Sequence, residues 1–370
     1  MEKYLHIVCF DNPYPPTYGG AIDVFYRIKS LAQANIHIIL HCFYKGDLHR
    51  SIELEQICQN VYYYPRKQTI RQHCTFTPYS VASRTNENLL PRLLLDDYPI
   101  LFEGLVSCAL MAHPALNKRR KYFRECNVEH DYYHALGRAS SSLWKKVFYH
   151  IEAWRLKYFE HCLAHATEIW ALSHQDEAYF KHNYPKIKTR YIPCAHGYTK
   201  INAKVGMGNP YILYHGNLAV EENEKAATYI IQHIAPFTHL EIVIAGHSPS
   251  NALAQLANRT PKVRLVADPK TDTLDQLIKE AQLHLLITFQ ATGIKLKLLN
   301  VLYNGRHVIV NPTMVVGTDY TPLCHVGNKD DSIIALCNHY SETPFSYEDI
   351  EARRAVLLKE NQQQEILNIL

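Results

Sequence analysis

Short apolar runs alternate with longer amphipathic stretches along most of this chain. Runs of roughly four to eight apolar residues bounded by turn residues read as buried strands, and apolar positions three or four apart read as one face of a helix. The first series predicts strands at Tyr4–Phe10 (YLHIVCF), Ile36–Phe43 (IHIILHCF), VYYYP, Pro99–Gly104 (PILFEG), Arg120–Cys126 (RKYFREC), Glu168–Ser173 (EIWALS) and Arg190–Cys194 (RYIPC), with a helix from about Gly20 to Gln33. The stretch His196–Pro210 holds three glycines and a proline with no apolar period, so it reads as a linker. The alternation then resumes with YILYHG, HLEIVIAG, VRLVA, HLLITF and HVIVN, with helices between them, the first from about Glu221. From about Tyr347 the tail reads as a polar amphipathic helix.

Strands that alternate with helices predict parallel sheets built from βαβ crossovers. The expected class is α/β, with two Rossmann-like, doubly wound parallel-sheet domains facing a central cleft. Residues 1–197 would form the first domain, 198–209 the linker and 210–346 the second domain. Residues 347–370 would form a helix packing back toward the first. A length of 370 residues agrees, because single cores stop growing near 250–300 residues.

Composition narrows the function. The chain is 47% hydrophobic and 20% charged, as in globular proteins. A net charge of +4 is too mild for duplex nucleic acid, so no nucleic-acid partner is expected, but it suits a ligand carrying phosphates. The ten cysteines include no CxxC pair and sit in apolar runs, as reduced buried thiols do. The N-terminus enters a strand without a signal-peptide layout, and no apolar run nears the ~20 residues that cross a bilayer. A cytoplasmic protein is expected, with peripheral contact to the inner face of the cell membrane as an option.

The segment FQATGIKLKLLNVLYNGRHVIVN carries the sharpest signal. A strand ends near Phe289, a turn holds Thr292 and Gly293, and a helix begins near Ile294. Helix N-termini attract anions through unpaired N–H groups and the dipole. Lys295 and Lys297 oppose that dipole at up to ~1 kcal/mol each unless an anion offsets them. The alternative is that both lysines are solvated surface residues. This segment resembles the donor-site motif of retaining GT-B glycosyltransferases, the bacterial group 1 type, at Gly293, Lys295, Lys297, Leu298, Leu299 and Gly305. The resemblance implies the GT-B architecture, with the turn and both lysines holding the diphosphate of a nucleotide-sugar. Asn300 stands where that family has a glutamate for the ribose hydroxyls. Tyr211–Leu218, with Gly216, resembles the first strand and turn of the donor domain.

The acceptor side offers further candidates. Gly19 and Gly20 precede a helix, where the backbone can approach a ligand closely; the resemblance sets this pair near the sugar phosphates. Glu103, at a strand's carboxyl end, could orient a sugar or acceptor hydroxyl, or be a solvated loop acid. RECNVEHDYY resembles the family's R-x-H-N-x-E-x-x-Y-Y segment, which assigns Glu129 to a matching position and Cys126 to that of a histidine beside the reacting sugar. The resemblance implies retaining transfer of a hexose to a saccharide or lipid-linked acceptor, in bacterial surface polysaccharide synthesis. No cofactor is expected, since the nucleotide-sugar is a co-substrate. Asp96–Asp97 lacks a D-x-D spacing, and the pairs His130/His134 and His161/His165 lack a third ligand, so no metal is expected. A catalytically weakened GT-B protein acting as a scaffold, and a nucleotide-sugar epimerase, remain alternatives.

Trp144–His161 mixes basic and aromatic residues. It is either a lipid-facing surface or a helix with an aromatic core stripe and a solvated basic face; the periodicity favours the core stripe.

Overall fold

A computed structural model describes residues 2–69, 72, 75–140, 142–290 and 296–358. The chain divides into two compact units, one ending at Gly197 and the other beginning at Tyr198.

Among the described residues, the first unit holds seven strands, all parallel: β1 (Lys3–Cys9), β2 (Ile36–Tyr44), β3 (Asn60–Pro65), β4 (Ile100–Glu103), β5 (Lys121–Arg124), β6 (Glu168–Ala171) and β7 (Lys188–Tyr191), in the order β3-β2-β1-β4-β5-β6-β7. Apolar side chains line both faces of the sheet. Leu5, Ile7 and Leu101 belong to one core cluster, with Val24 and Ile28 of the helix Gly19–Gln33. Val8, Ile100 and Phe102 belong to the other, with Leu156 and Leu163. Strands buried on both faces are continuously apolar rather than alternating, which is why the sequence shows them as runs. Chain order reverses beside β1, where β2 and β4 flank it. Open α/β sheets bind ligands outside the carboxyl ends of their strands at such a switch point.

The second unit repeats the plan with β8 (Asn209–His215), β9 (Glu241–Gly246), β10 (Val263–Ala267), β11 (Ala281–Leu286), β12 (His307–Val310) and β13 (His325–Val326), in the order β10-β9-β8-β11-β12-β13. Its switch point lies between β8 and β11. The two-residue β13 is too short to leave a run in the sequence.

Two boundary segments are held by the second unit. The segment after Gly197 packs onto the second unit instead of hanging as a linker. Tyr198 stacks on Tyr303 at 5.1 Å, Asn202 N–H donates to the Tyr303 carbonyl, and Gly206 forms an antiparallel bridge with Phe345. Of the tail expected as one helix over residues 347–370, Tyr347–Leu357 is helical and is held by the second unit, while residues 359–370 lie outside the described residues. The buried Arg353 of this helix donates to the carbonyls of Leu302 (2.9 Å) and Gly305 (2.6 Å). Arg353 thereby caps the helix Leu296–Asn304, whose last carbonyls lack partners within it.

Candidate functional site

In the first unit, the carboxyl ends of β1, β4 and β5 converge on a buried charged cluster. Asp23 and Arg27 lie one helical turn apart on the inward face of the helix Gly19–Gln33 and bond each other. Arg27 Nε also donates to Glu103 Oε1 at 2.9 Å, and Arg124 donates to Asp23 Oδ2 at 3.3 Å through Nε and Nη2. Asp23 Oδ1 accepts the Ala195 N–H at 2.6 Å, and Arg124 reaches the Pro193 carbonyl at 3.2 Å. The cluster thus joins the helix to the chain leaving β7. Burial acts to raise the Asp23 carboxyl, but the Arg124 and Arg27 guanidiniums outweigh it and hold the pKa below the usual aspartate range. Burial pushes Glu103 up despite Arg27. Two acids against two arginines leave the cluster balanced, as buried ions must be.

This changes the reading of Glu103. It is fully buried with its carboxylate on Arg27, so it is neither a solvated loop acid nor a group presented to an acceptor hydroxyl. Gly20 has a structural reason of its own. A Cβ there would lie 2.8 Å from Phe10 Cζ, so what approaches this backbone closely is the Phe10 ring. Gly104, at φ +74°, turns the chain after β4 in a conformation that favours glycine. Its missing side chain leaves room for Phe10 and for the Cys126 sulfur, which would sit 3.5 Å from a Cβ.

Gly20 and Gly104 therefore both face the Phe10 ring, and Cys126 lies beside Gly104. Gly19 is exposed beside them, at a helix end with no side-chain cap and no acidic residue in the first turn. Burial, with Glu103 and Asp23 nearby, raises the Cys126 thiol well above its ordinary value, so it stays protonated. Glu129 opens the helix Glu129–Ala139 and is almost completely buried. Burial lifts its carboxyl to about 7, with Arg84 pulling the other way.

Sequence reasoning missed three residues here. Arg84 donates through Nε to the Phe10 carbonyl at 2.6 Å and through Nη1 to the Ser80 carbonyl at 2.7 Å. Burial and the neighbouring Arg66 lower its pKa to about 10. Tyr18 donates to Asp11 Oδ2 at 3.2 Å. Glu125 is fully buried; its Oε2 accepts the Leu172 N–H at 2.7 Å, and burial raises its pKa well above the carboxylate range. A segment without apolar period surrounds Arg84, so only the fold reveals it. A carboxyl that titrates near neutrality beside a guanidinium can move a proton or meet an anion.

In the second unit, the matching place is the carboxyl end of β8. Lys297 Nζ donates to Asn223 Oδ1 at 2.8 Å and to the Tyr214 hydroxyl at 3.4 Å, and lies 5.1 Å from the centre of the Tyr214 ring. Asn223 Nδ2 donates to the Asn217 carbonyl at 2.9 Å. A Cβ on Gly216 would stand 3.3 Å from the Asn223 side chain. Gly216, Asn217, Asn223 and Lys297 thus form one constellation at the switch point. His215, beside it, is neutral because burial and the Lys297 charge lower its pKa to about 3. Thr292, Gly293 and Lys295 lie outside the described residues. Lys225, another residue the sequence did not single out, has its Nζ 5.0 Å from the centre of the Phe289 ring. Asn300 accepts the Asn304 Nδ2 on both its carbonyl (3.0 Å) and its Oδ1 (2.8 Å).

Among the described residues, no group of three His, Cys, Asp or Glu side chains could hold a metal ion, and no helix is long and apolar enough to cross a membrane. His130 meets Glu160 at 3.3 Å and His134 meets His150 at 3.1 Å. Asp96 binds His6 at 3.0 Å.

Solved structures with the same arrangement span the chain. TarM superposes with a TM-score of 0.65 over 100% of this chain and 97% of its own, at 10% identity. HepE of Anabaena, crystallised with UDP and glucose, gives 0.63 over the whole of both chains, at 11% identity. A UDP-forming α,α-trehalose-phosphate synthase from Burkholderia xenovorans gives 0.61 over 100% and 98%, at 10% identity. The fold is GT-B. At these identities the likeness concerns the fold alone, because one fold hosts many functions. No family model matches the sequence. A Klebsiella pneumoniae protein named only as an uncharacterized 44.6 kDa protein in a cps region is 23% identical over 98% of this chain and 96% of its own. Within the GT-B frame, the sequence-assigned residues divide between the switch points of the two sheets: Gly19, Gly20, Cys126 and Glu129 at one, Gly216 and Lys297 at the other.

Proposed function

We propose that the chain is a glycosyltransferase that moves a hexose, with retention, from a nucleotide-diphosphate sugar to a saccharide or lipid-linked acceptor in surface polysaccharide synthesis. The observation that carries this reading is Lys297, drawn onto Asn223 and Tyr214 at the carboxyl end of β8, beside Gly216. An ammonium group there supports a diphosphate-binding role, and stabilising the departing nucleoside diphosphate is the term such sites supply most strongly. The GT-B fold and the cps-region relative support the same reading.

In this reading Lys297, with Lys295 and the turn Thr292–Gly293, takes the diphosphate, and Asn300 contributes a neutral contact to the ribose. Arg84 and the helix start at Gly19 add positive character on the other unit, and Glu129 serves as the proton-transferring group. Glu103 and Asp23 act through Arg27 and Arg124 as positioning residues. No metal or cofactor enters the proposed reaction.

Incubating the protein with a panel of nucleotide-sugars and oligosaccharide acceptors, and measuring released nucleoside diphosphate, tests the proposal. Release that requires acceptor supports transfer, and no release with any pair refutes it. The protonated Cys126 thiol, a weak hydrogen-bond partner, favours a second reading in which transfer is lost and the chain binds a ligand without turnover. Binding of a nucleotide-sugar with no release in any pairing, restored by Cys126→His with Asn300→Glu, selects that reading.

A further inference from the structure

The helix Leu143–Phe159 buries Glu152, Ala153 and Leu156. Trp144, Val147, Ile151, Trp154 and Tyr158 follow one another at intervals of three and four residues, which aligns them on one stripe. From the sequence, a core stripe is the expectation. In the structure it faces outward, with Trp144 87% exposed and Trp154 57% exposed. Phe76, also exposed, packs edge-on against Trp154 at 5.4 Å and Tyr158 at 5.2 Å and widens the surface. Leu143 and Trp144 stand at the turn joining this helix to Glu129–Ala139, among the most exposed apolar side chains described.

Charge decides what covers the stripe. The helix has one acid, Glu152, and Glu160 follows it; both are turned inward. Glu152 accepts the N–H groups of Tyr79 (3.0 Å) and Ser80 (2.7 Å), and Glu160 accepts the Tyr179 hydroxyl at 2.7 Å. Lys145 and Lys157 are exposed on the helix, Lys146 and Arg155 are half-buried, and Arg138 is exposed just before the turn. Asp131, exposed, lies about two helical turns back from Arg138. Aromatic and aliphatic side chains flanked by lysine and arginine match the boundary between acyl chains and anionic headgroups. A second copy of the same face would set lysine against lysine.

We propose that this helix docks the protein on an anionic membrane surface, lying flat with Trp144 and Trp154 in the headgroup region. The proposal is independent of sugar transfer. Trp170 is fully buried and stacked on Tyr122, so a change in tryptophan emission on adding vesicles reports Trp144 and Trp154.

The test compares vesicles of phosphatidylcholine alone with vesicles that also contain phosphatidylglycerol, by co-sedimentation and emission. The expected result is binding and a blue shift with the anionic vesicles alone, weakened by salt. Lys145→Gln with Lys146→Gln should lose about fivefold in affinity for each charge removed. Trp144→Ser with Trp154→Ser should abolish binding while circular dichroism is unchanged. Absence of binding to anionic vesicles, or equal binding to neutral ones, overturns the proposal. So does a dimer in sedimentation equilibrium that Trp154→Glu dissociates while vesicles are ignored.

Discussion

Glu129 offers a quantitative test of the first unit's site. Its carboxyl is raised from 4.5 to about 7 by burial in the folded protein. A raised acid makes the folded state hold a proton that the unfolded chain has released, so stability falls as pH rises from about 4.5 to about 7 and then levels off. Each pKa unit corresponds to about 1.4 kcal/mol, so the full shift costs ~3 kcal/mol at alkaline pH. Glu129→Gln keeps the shape and removes the titration. The stability difference between variant and wild type should therefore grow by ~3 kcal/mol between about pH 4.5 and about pH 8, in favour of the variant. Trp144, Trp154 and Trp170, the three tryptophans of the chain, lie in the first unit. Urea unfolding followed by tryptophan emission therefore reads that unit by itself. A difference that stays constant across pH would refute the burial argument and, with it, the assignment of Glu129 as a proton-transferring group.

Further perturbations probe other contacts. Asp23→Ala leaves Arg27 and Arg124 buried without their shared acid and should cost the first unit about 3–5 kcal/mol in the same urea assay; a cost near zero would mean the cluster is not balanced as described. Gly246→Ala would place a Cβ 1.9 Å from the Gly216 carbonyl oxygen. The β8 turn must then move, and the second unit should lose at least about 1–3 kcal/mol by thermal unfolding. Folding with unchanged stability would contradict the close approach of β8 and β9. Arg84→Ala should weaken acceptor use in the release assay, seen as a raised KM, while nucleotide binding stays as in the wild type; the reverse pattern would reassign Arg84 to the donor.

The sequence revealed the strands well because parallel strands buried on both faces are continuous apolar runs, as in Ile36–Tyr44 and Glu241–Gly246. It also marked Lys297, because a lysine at a strand-to-helix turn has a chemical reason to be there. Buried charge was hidden. Asp23, Arg27 and Arg124 read as solvent-facing when only polarity is counted, and apart from the Asp23–Arg27 pair their partners lie far off in sequence. Glu103 was visible as a strand-end acid, but its pairing with Arg27, 76 positions away, depends on the tertiary fold. Arg84 lies between short helical turns without periodicity. The stripe Trp144–Tyr158 exposes another limit: spacing identifies which side chains share a helix face, while what that face meets is decided by the rest of the protein. The hold on the helix Tyr347–Leu357 was hidden for a similar reason, since Arg353 is held by the backbone carbonyls of Leu302 and Gly305, which leave no mark in composition.

Calorimetric titration of UDP, GDP and ADP into the wild-type protein and into Lys297→Ala is the most direct measurement. One of these nucleotides should bind the wild type, and removing the ammonium group should weaken it by about 10- to 100-fold, the worth of one charge-assisted hydrogen bond. Equal affinity in both proteins, or no binding by the wild type, would contradict a diphosphate site at the end of β8.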